Sequence, residues 1–355
     1  IGVPKTIDGD LQIGDLLPIS FGFDTATKIY GEMVGNILQD TRSSLKYWHF
    51  IKLMGRSASH VAIEVALQVK PAACIISEEV AEKKMSLASI VEQIAQTVVL
   101  RSKKGMNYGV VLIPEGLIEF IPEMNTLIAE LNDQLAHHAD AFAALADADK
   151  AGFIQGKLSA ANAALLASLP AYVVKMLLAD RDSHGNLQVS LIPTEQLLVD
   201  MVKARVKQIE ATVPFAAHCH FLGYEGRCGA PTLFDAAYTY NLGLTAGSLI
   251  LDGRTGYMAT VTDLTAGGKP QAIPLTGLLN IERRHGKDEF VIEKALVKMD
   301  SPAMEYFVSR RAAWAADDLF ASSGPRQLWG PAALQQPISV ALNSGSDSLA
   351  FRIGK

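Results

Sequence analysis

Lys46-Tyr-Trp-His-Phe-Ile-Lys-Leu-Met-Gly-Arg56 is the stretch of sequence that decides the fold. Its aromatic and apolar residues predict a buried strand, and Gly55 ends that strand. Ser57 is expected to cap a helix whose apolar face follows at Val61, Val65 and Leu67. Arg56 then lies between a strand end and a helix N-terminus, a position that favours anions. A surface arginine beside a structural glycine also explains this pattern.

Strands and helices alternate on both sides of this stretch. Before it, apolar residues recur at helical spacing from Ile29 to Leu38, and Asp24 or Thr25 is the expected N-cap. After it, Ala73-Cys-Ile-Ile-Ser77 and Gly109-Val-Val-Leu-Ile113 predict two more buried strands. This alternation predicts an α/β fold with a mostly parallel sheet and right-handed crossovers.

The chain opens with Ile1-Gly-Val-Pro-Lys-Thr-Ile-Asp-Gly-Asp10, which reads as a strand end followed by a polar loop. A cation, a hydroxyl and two acids follow Pro4, and Gly9 allows the backbone to turn close to a ligand. In open α/β sheets ligands bind outside the carboxyl ends of strands, so a ligand-binding or catalytic site is expected in this loop. An ordinary turn with solvated charges fits the same residues.

Two further motifs follow predicted strands. Pro114-Glu-Gly116 places a carboxylate where it suits a sugar hydroxyl. Gly223-Tyr-Glu-Gly-Arg227 combines glycines with an aromatic hydroxyl and a guanidinium, which is typical of a phosphate clamp. The alternative for the second motif is a turn that feeds a helix, with Pro231 at its first position.

The composition, net charge and cysteine count of the chain exclude several classes of protein. The 355 residues are 49% apolar and 19% charged, which is a globular composition and leaves room for two domains. A net charge of -5 argues against general nucleic-acid binding, because phosphate backbones need a cationic face. Three widely spaced cysteines argue against a disulfide framework and fit a reducing cytoplasm. No apolar run reaches the length of roughly 18–20 residues that a spanning helix needs, so no membrane partner is expected.

Four motifs occur together in the order and rough spacing seen in the phosphofructokinase family: Pro4-Lys-Thr-Ile-Asp-Gly-Asp10, Met54-Gly-Arg56, Pro114-Glu-Gly116 and Gly223-Tyr-Glu-Gly-Arg227. The residues of these motifs are most similar to those of the long-form, pyrophosphate-dependent enzymes. The similarity runs from residue 1 to about 330 and is weakest at about 131–181. Residues rich in Ala and Leu predict a helical insertion there, which the long-form enzymes also carry.

The resemblance implies a role for each motif. Asp8 would be the catalytic base, Arg56 would neutralise the moving phosphoryl group, and Asp10 would hold Asp8 or an ion-bound water. Lys5 would favour pyrophosphate over a nucleotide, because its charge stabilises a small anionic leaving group. The implied contacts with fructose 6-phosphate are Thr6, Ile7, Asp8, Lys46, Tyr47, Met54, Gly55, Arg56, Glu115, Tyr224, Glu225, Gly226 and Arg227.

Lys46 and Tyr47 lie at the opposite end of the predicted strand from Arg56, roughly 30 Å away along an extended chain. They cannot easily reach the same pocket within one subunit. In the resembling enzymes this position enters the sugar-phosphate site of a neighbouring subunit. The resemblance therefore implies a homodimer or a higher homo-oligomer.

The resemblance also implies two three-layer α/β/α domains with mostly parallel sheets. Residues 1–23 would end a donor domain, residues 24–230 would form the sugar-phosphate domain with an insertion at about 122–210, and residues 231–355 would return to the donor domain. The glycine-rich donor loop and the metal-binding aspartate of the family would precede Ile1. The expected cofactor is Mg²⁺, with no ligand assigned in this chain, and a chain that opens without Met is expected to be a fragment.

The expected activity is transfer of a phosphoryl group from pyrophosphate to C1 of fructose 6-phosphate, reversibly and in glycolysis. Two alternatives remain open: an ATP-dependent 6-phosphofructokinase, or a non-catalytic regulatory subunit that binds sugar phosphate. Asp8 argues against the paralogous regulatory subunits of plants, in which asparagine replaces this acid.

Overall fold

The structure is a computed structural model. It describes residues 1–179, 191–284, 287–292, 294–322 and 336–345, with the backbone alone for residues 282–284 and 287–289.

A four-stranded parallel sheet forms the centre of the described chain. Its strands stand in the order β2-β3-β1-β4. Every residue of β1 and β3 is buried, as is usual for parallel strands covered on both faces. The predicted α/β class and parallel sheet are confirmed. The strands are β1 (Trp48–Leu53), β2 (Ala73–Cys74), β3 (Gly109–Pro114) and β4 (Ala217–Leu222).

Helices cover both faces of this sheet, which gives three layers. Successive residues of a strand point to opposite faces, so β1 contributes Trp48 and Phe50 to one hydrophobic core and Ile51 and Leu53 to the other. The helices before and between the strands are α1 (Phe23–Ser44), α2 (His60–Val69), α3 (Ser77–Glu82), α4 (Leu87–Ser102) and α5 (Leu117–Phe120).

The segment between β3 and β4 is helical where it is described, in agreement with the expected insertion. Its helices are α6 (Pro122–His137), α7 (Ala139–Ala143), α8 (Asp147–Gln155), α9 (Ala160–Ser168), α10 (Ala171–Leu177) and α11 (Thr194–Ile209). After β4 come the short helix α12 (Tyr224–Arg227) and the long helix α13 (Leu233–Leu251).

Two antiparallel hairpins follow α13. The first pairs β5 (Tyr257–Thr262) with β6 (Lys269–Pro274), and the second pairs β7 (Leu279–Arg284) with β8 (Lys287–Ile292). A 3₁₀ turn at Leu275–Leu278 joins them, and α14 (Pro302–Ala316) and α15 (Ile338–Asn343) come last. Within the described ranges the sheets of this part are two-stranded and antiparallel, so a second parallel sheet and the predicted domain boundaries stay predictions.

The opening residues pair with the first hairpin. Gly2 forms a parallel bridge with Met258, and the backbone N–H of Gly2 donates to the carbonyl of Tyr257 at 2.8 Å. The N–H of Ala259 returns a bond to the Gly2 carbonyl at 2.9 Å. The polar loop at residues 5–10 is therefore fixed at its base.

Two buried carboxylates tie the last part of the described chain to the parallel sheet. Glu64 in α2 accepts from the N–H groups of Ile338 and Ser339, both at 3.0 Å. Glu78 in α3 accepts from the N–H groups of Ser59 and Val297, also at 3.0 Å. These bonds offset part of the cost of burying the two carboxylates, and in Glu78 both reach Oε1.

The predicted N-cap of α1 was wrong. The helix begins at Phe23, and its N-cap is Gly22 with φ of 91°, a conformation that favours glycine. The cap comes from a distant residue: the Asp235 carboxylate accepts from the N–H groups of Gly22 at 2.9 Å and Thr25 at 2.8 Å. A cap from so far along the chain leaves no local sequence signal.

Among the helices that the structure describes, none combines the length and the apolar character needed to cross a bilayer.

Candidate active site

The loop at residues 5–10 makes a tight turn over the start of α1. Thr6 supports it twice, because its hydroxyl accepts from the Asp8 N–H at 3.1 Å and its carbonyl accepts from the Ser20 hydroxyl at 2.8 Å. Gly9 has φ of 74°, and a Cβ added there would lie 2.7 Å from the Phe23 ring. A larger residue would displace the loop, so Gly9 fixes where Asp8 and its neighbours stand.

Asp8 lies in an acidic environment with two cations nearby. The pKa of its carboxyl is raised to about 6, chiefly by burial and also by the charges of Asp10 and Glu115. Arg56 and Lys294 act in the opposite direction. A carboxylate with a pKa near the working pH suits a general base, because it is largely ionised yet holds a proton well.

Glu115 joins the carboxyl ends of β1 and β3. Its side chain is 1% exposed, and its Oε2 accepts from the Gly55 N–H at 2.8 Å. Burial raises the pKa of Glu115, while the Gly55 N–H, Lys52 and Arg56 lower it. The bond holds the turn after β1, where Arg56 begins, against the carboxylate.

Arg56 is exposed and lies near three carboxyl groups, since its guanidinium lowers the pKa of Asp8, Glu115 and Glu119 against the effect of burial. Its backbone packs directly on Gly116. A Cβ added at Gly116 would lie 2.1 Å from the Arg56 carbonyl oxygen, so only glycine fits without moving the arginine. The Pro114-Glu-Gly116 motif thus combines a buried acid that holds Gly55 with a close backbone approach to Arg56.

Helix α12 presents the second cationic group. Glu225 fixes its start, because Oε2 accepts from the Gly223 N–H at 2.7 Å. The Arg227 guanidinium lies 5.6 Å from the centroid of the Tyr224 ring. Tyr224 is 71% exposed and Arg227 is also exposed, so both side chains face solvent as a phosphate clamp requires.

A buried tyrosine, Tyr30, supports the start of α12. The side chain is fully buried, and its hydroxyl donates to the Gly223 carbonyl at 2.5 Å. Burial raises the pKa of the Tyr30 hydroxyl, and the charges of Glu225, Asp8 and Glu115 add to that rise. A Cβ at Gly226 would lie 2.4 Å from the ring.

The structure therefore gathers most of the predicted site residues at the carboxyl ends of three neighbouring strands and on the opening loop. Lys5 is exposed on the same loop, and its backbone bridges to Phe21. The gathered set is Lys5, Thr6, Ile7, Asp8, Asp10, Met54, Gly55, Arg56, Glu115, Tyr224, Glu225, Gly226 and Arg227.

Lys46 and Tyr47 are not part of this set. Both are exposed and precede Trp48, the first residue of β1, so they lie at the opposite end of the strand from Arg56. Leu45 and Tyr47 have positive φ angles of 55° and 69°. Such backbone strain is costly for residues other than glycine and is often found at functional positions.

Three residues that contribute to the site were missed from the sequence: Tyr30, Asp235 and Lys294. A tyrosine on the apolar face of a helix was the available signal for Tyr30, because a buried hydroxyl needs a partner. Asp235 bonds to Gly22 and Lys294 bonds to Ser57, in each case across more than 200 positions of the chain. A single sequence carries no signal for contacts at such a separation.

The opening loop at residues 5–10, the arginine loop at Met54-Gly-Arg56 and the loop at Gly223-Tyr-Glu-Gly-Arg227 all fall within one family match. The sequence profile described as "PFK: Phosphofructokinase" matches residues 1–250.

Similar proteins are known from distant organisms. The chain is 49% identical over 350 residues to the pyrophosphate--fructose 6-phosphate 1-phosphotransferase of Treponema pallidum, covering 96% of this chain and 61% of that protein. It is 47% identical over 348 residues to the protein of the same name from Entamoeba histolytica, covering 96% of this chain and 63% of that one. The chain thus spans about three fifths of the length of the curated relatives it matches.

A crystal structure of a pyrophosphate-dependent phosphofructokinase from Marinobacter aquaeolei is also similar. It is 15% identical with a TM-score of 0.45, covering 93% of this chain and 65% of that one.

Proposed function

The chain belongs to the phosphofructokinase family, and from that membership we propose that it transfers a phosphoryl group from pyrophosphate to C1 of fructose 6-phosphate. The products are fructose 1,6-bisphosphate and orthophosphate, and the step is reversible and glycolytic. The observation that carries this proposal is the position of Asp8, with a pKa near 6, beside Glu115 and Arg56 at the carboxyl ends of the strands.

The sugar phosphate is bound by two groups in the proposal. Tyr224 and Arg227 take the 6-phosphate, because a guanidinium and a phenol offer several donors to phosphate oxygens. Glu115 accepts from a sugar hydroxyl with the carboxylate oxygen that does not bind Gly55. Thr6 and Met54 complete the walls around the sugar.

Asp8 then accepts the proton of the C1 hydroxyl. The C1 oxygen forms a bond to the transferred phosphorus as the bridging P–O bond of pyrophosphate breaks, and orthophosphate leaves. Arg56 balances the negative charge on the moving phosphoryl group, and Lys5 balances the charge on the leaving orthophosphate. The charge of Asp10 raises the pKa of Asp8, in addition to burial, towards the range of an effective base.

Mg²⁺ is the proposed cofactor, and it would neutralise anionic oxygens of the donor. In the described ranges no group of three or more His, Cys, Asp or Glu side chains is placed to hold a metal ion. These residues by themselves do not form a magnesium site, and no step above depends on one.

A cytoplasmic location and a homodimer or higher homo-oligomer also belong to the proposal. All three cysteines are free thiols, which is compatible with a reducing compartment. The oligomer is supported by Lys46 and Tyr47, which are exposed on a strained turn far from the site of their own subunit. They would complete the site of a neighbour.

The donor is tested by assaying the full-length gene product with fructose 6-phosphate and either pyrophosphate or ATP. We expect turnover with pyrophosphate, and turnover only with ATP would overturn the assignment.

Asp8→Asn is expected to lower kcat by about 10²- to 10⁴-fold, while fructose 6-phosphate binding largely survives. Asp15→Asn, at an exposed position of the same loop region, is the matched control. Sugar-phosphate binding without turnover in the parent protein would favour a regulatory subunit.

The shared site is tested by mixing two inactive variants, Asp8→Ala and Lys46→Ala. In a two-fold symmetric dimer each mixed pair has one intact site, so about a quarter of the parental activity should return at most. No recovery after confirmed subunit exchange would place Lys46 outside the partner's site.

A further inference from the structure

Residues 295–297, which follow β8, are joined to the candidate active site by hydrogen bonds. The Ala295 N–H donates to the Asp10 carbonyl at 2.7 Å, and the Ala295 carbonyl accepts from Nε2 of His60 at 2.9 Å. Next to it, the Val297 N–H donates to Glu78 at 3.0 Å. The backbone of residues 295–297 is thus held between the catalytic loop and the start of α2.

Lys294 directly precedes Ala295 and contacts the loop that follows β1. Its Nζ donates to the hydroxyl of Ser57 at 2.7 Å, and Ser57 directly follows Arg56. The side chain is exposed. Because a neutral hydroxyl accepts this bond, the ammonium charge is not neutralised by the contact.

The charge of Lys294 reaches the catalytic carboxylate. Burial raises the pKa of Asp8 and of Glu119, and Lys294 lowers both. Burial raises the pKa of the Tyr30 hydroxyl, Asp8 adds to this rise and Arg227 opposes it. Lys294 therefore acts on Asp8, whereas Arg227 acts on Tyr30.

We propose that Lys294 is a substrate-binding residue, whose ammonium group contacts the phosphoryl group that moves from the donor to the C1 hydroxyl. This inference rests on the proposed function. The 6-phosphate is assigned to Arg227, so the anion within reach of Lys294 is the donor. A small, highly charged donor needs several cations, and the flexible stem of lysine lets its charge leave Ser57 for a phosphate oxygen.

The test compares Lys294→Gln with Lys294→Arg in the full-length protein. Losing one charged contact to a phosphate should lower kcat/KM for pyrophosphate by about 10- to 100-fold. The KM for fructose 6-phosphate should stay within about threefold, and the arginine variant should keep most of the activity. In calorimetry the glutamine variant should bind methylenediphosphonate, a non-hydrolysable pyrophosphate analogue, about 10- to 100-fold more weakly.

Two controls separate charge from structural support. Ser57→Ala removes the hydrogen bond and keeps the lysine, so it should behave like the parent. Lys298→Gln removes an exposed lysine of the same segment and should also have no effect. Urea midpoints of all variants should match, because Lys294 is exposed.

Each outcome decides between explanations. Parental kinetics for Lys294→Gln would overturn this inference and leave the proposed function intact. A loss reproduced by Ser57→Ala, or confined to the KM of fructose 6-phosphate, would overturn it as well. A parent protein without pyrophosphate-dependent turnover would overturn the proposed function and this inference together.

Discussion

The hydroxyl of Tyr30 donates a hydrogen bond to the carbonyl oxygen of Gly223 at 2.5 Å. Through this bond the first helix of the described fold supports the loop that carries Tyr224 and Arg227. The proposed phosphate clamp is therefore supported by a residue that its own motif does not contain.

Tyr30→Phe should weaken sugar-phosphate binding more than it slows the chemical step. The Gly223 carbonyl would lose its buried donor, which costs about 1–3 kcal/mol of stability. Because the clamp would shift while Asp8 stays, we expect the KM for fructose 6-phosphate to rise by about 3- to 10-fold with a smaller change in kcat. Steady-state kinetics and urea unfolding measure both effects. Tyr240→Phe, at an exposed position of α13, is the control, and equal effects of the two changes would contradict this role.

The pH dependence of the reaction should report the environment of Asp8. The base works only when ionised, so kcat/KM should fall as the pH drops through about 6. Asp10 raises the pKa of Asp8 in addition to burial, so Asp10→Asn should move the acid limb to lower pH. Substrate phosphates also titrate near pH 6, and the difference between variant and parent is therefore the quantity to measure. An unchanged or raised acid limb in Asp10→Asn would contradict the assignment.

Gly116→Ala should impair catalysis through Arg56. The new Cβ would lie 2.1 Å from the Arg56 carbonyl oxygen, and the backbone must move to relieve the overlap. A displacement of about 1 Å costs roughly 10²-fold in rate. Gly152→Ala in α8 is the control, because a Cβ there meets no atom within 4 Å. Parental activity in Gly116→Ala would show that the arginine loop adapts.

Asp235→Ala should destabilise the fold. It removes the carboxylate that caps α1 at Gly22 and Thr25, so we expect a loss of about 2 kcal/mol in the free energy of unfolding. Urea unfolding measures this loss. Asp252→Ala, at the exposed end of α13, removes a surface ion pair with Arg254 and should leave the urea midpoint nearly unchanged.

Local patterns in the sequence were sufficient for the parallel sheet and for the grouping of most candidate site residues at one end of it. Strand β1, the glycine after it and the acid after β3 each follow from neighbouring residues, and parallel strands bring their carboxyl ends together. The residues that escaped prediction act over long distances in the chain. Asp235 caps a helix more than 200 positions earlier, and Lys294 reaches Ser57 across a similar gap.

The strand limits were also less predictable than the strands themselves. Lys46 and Tyr47 were expected inside β1, but the strand starts at Trp48. The positive φ angles of Leu45 and Tyr47 end the extended conformation there. No glycine or proline stands at this place in the sequence to indicate such a turn. Ile75 and Ile76 were expected in β2, which ends at Cys74.

Glu64 and Glu78 have a consequence for how the chain can be shortened. Both are buried in the sheet-covering helices, and both use backbone N–H groups from beyond residue 290 as partners. A truncation that removes those partners would strand two carboxylates in the interior, at a cost of about 1–3 kcal/mol for each lost bond. The parallel sheet and the final helices should consequently melt in one cooperative transition, and expression trials should keep them on one polypeptide.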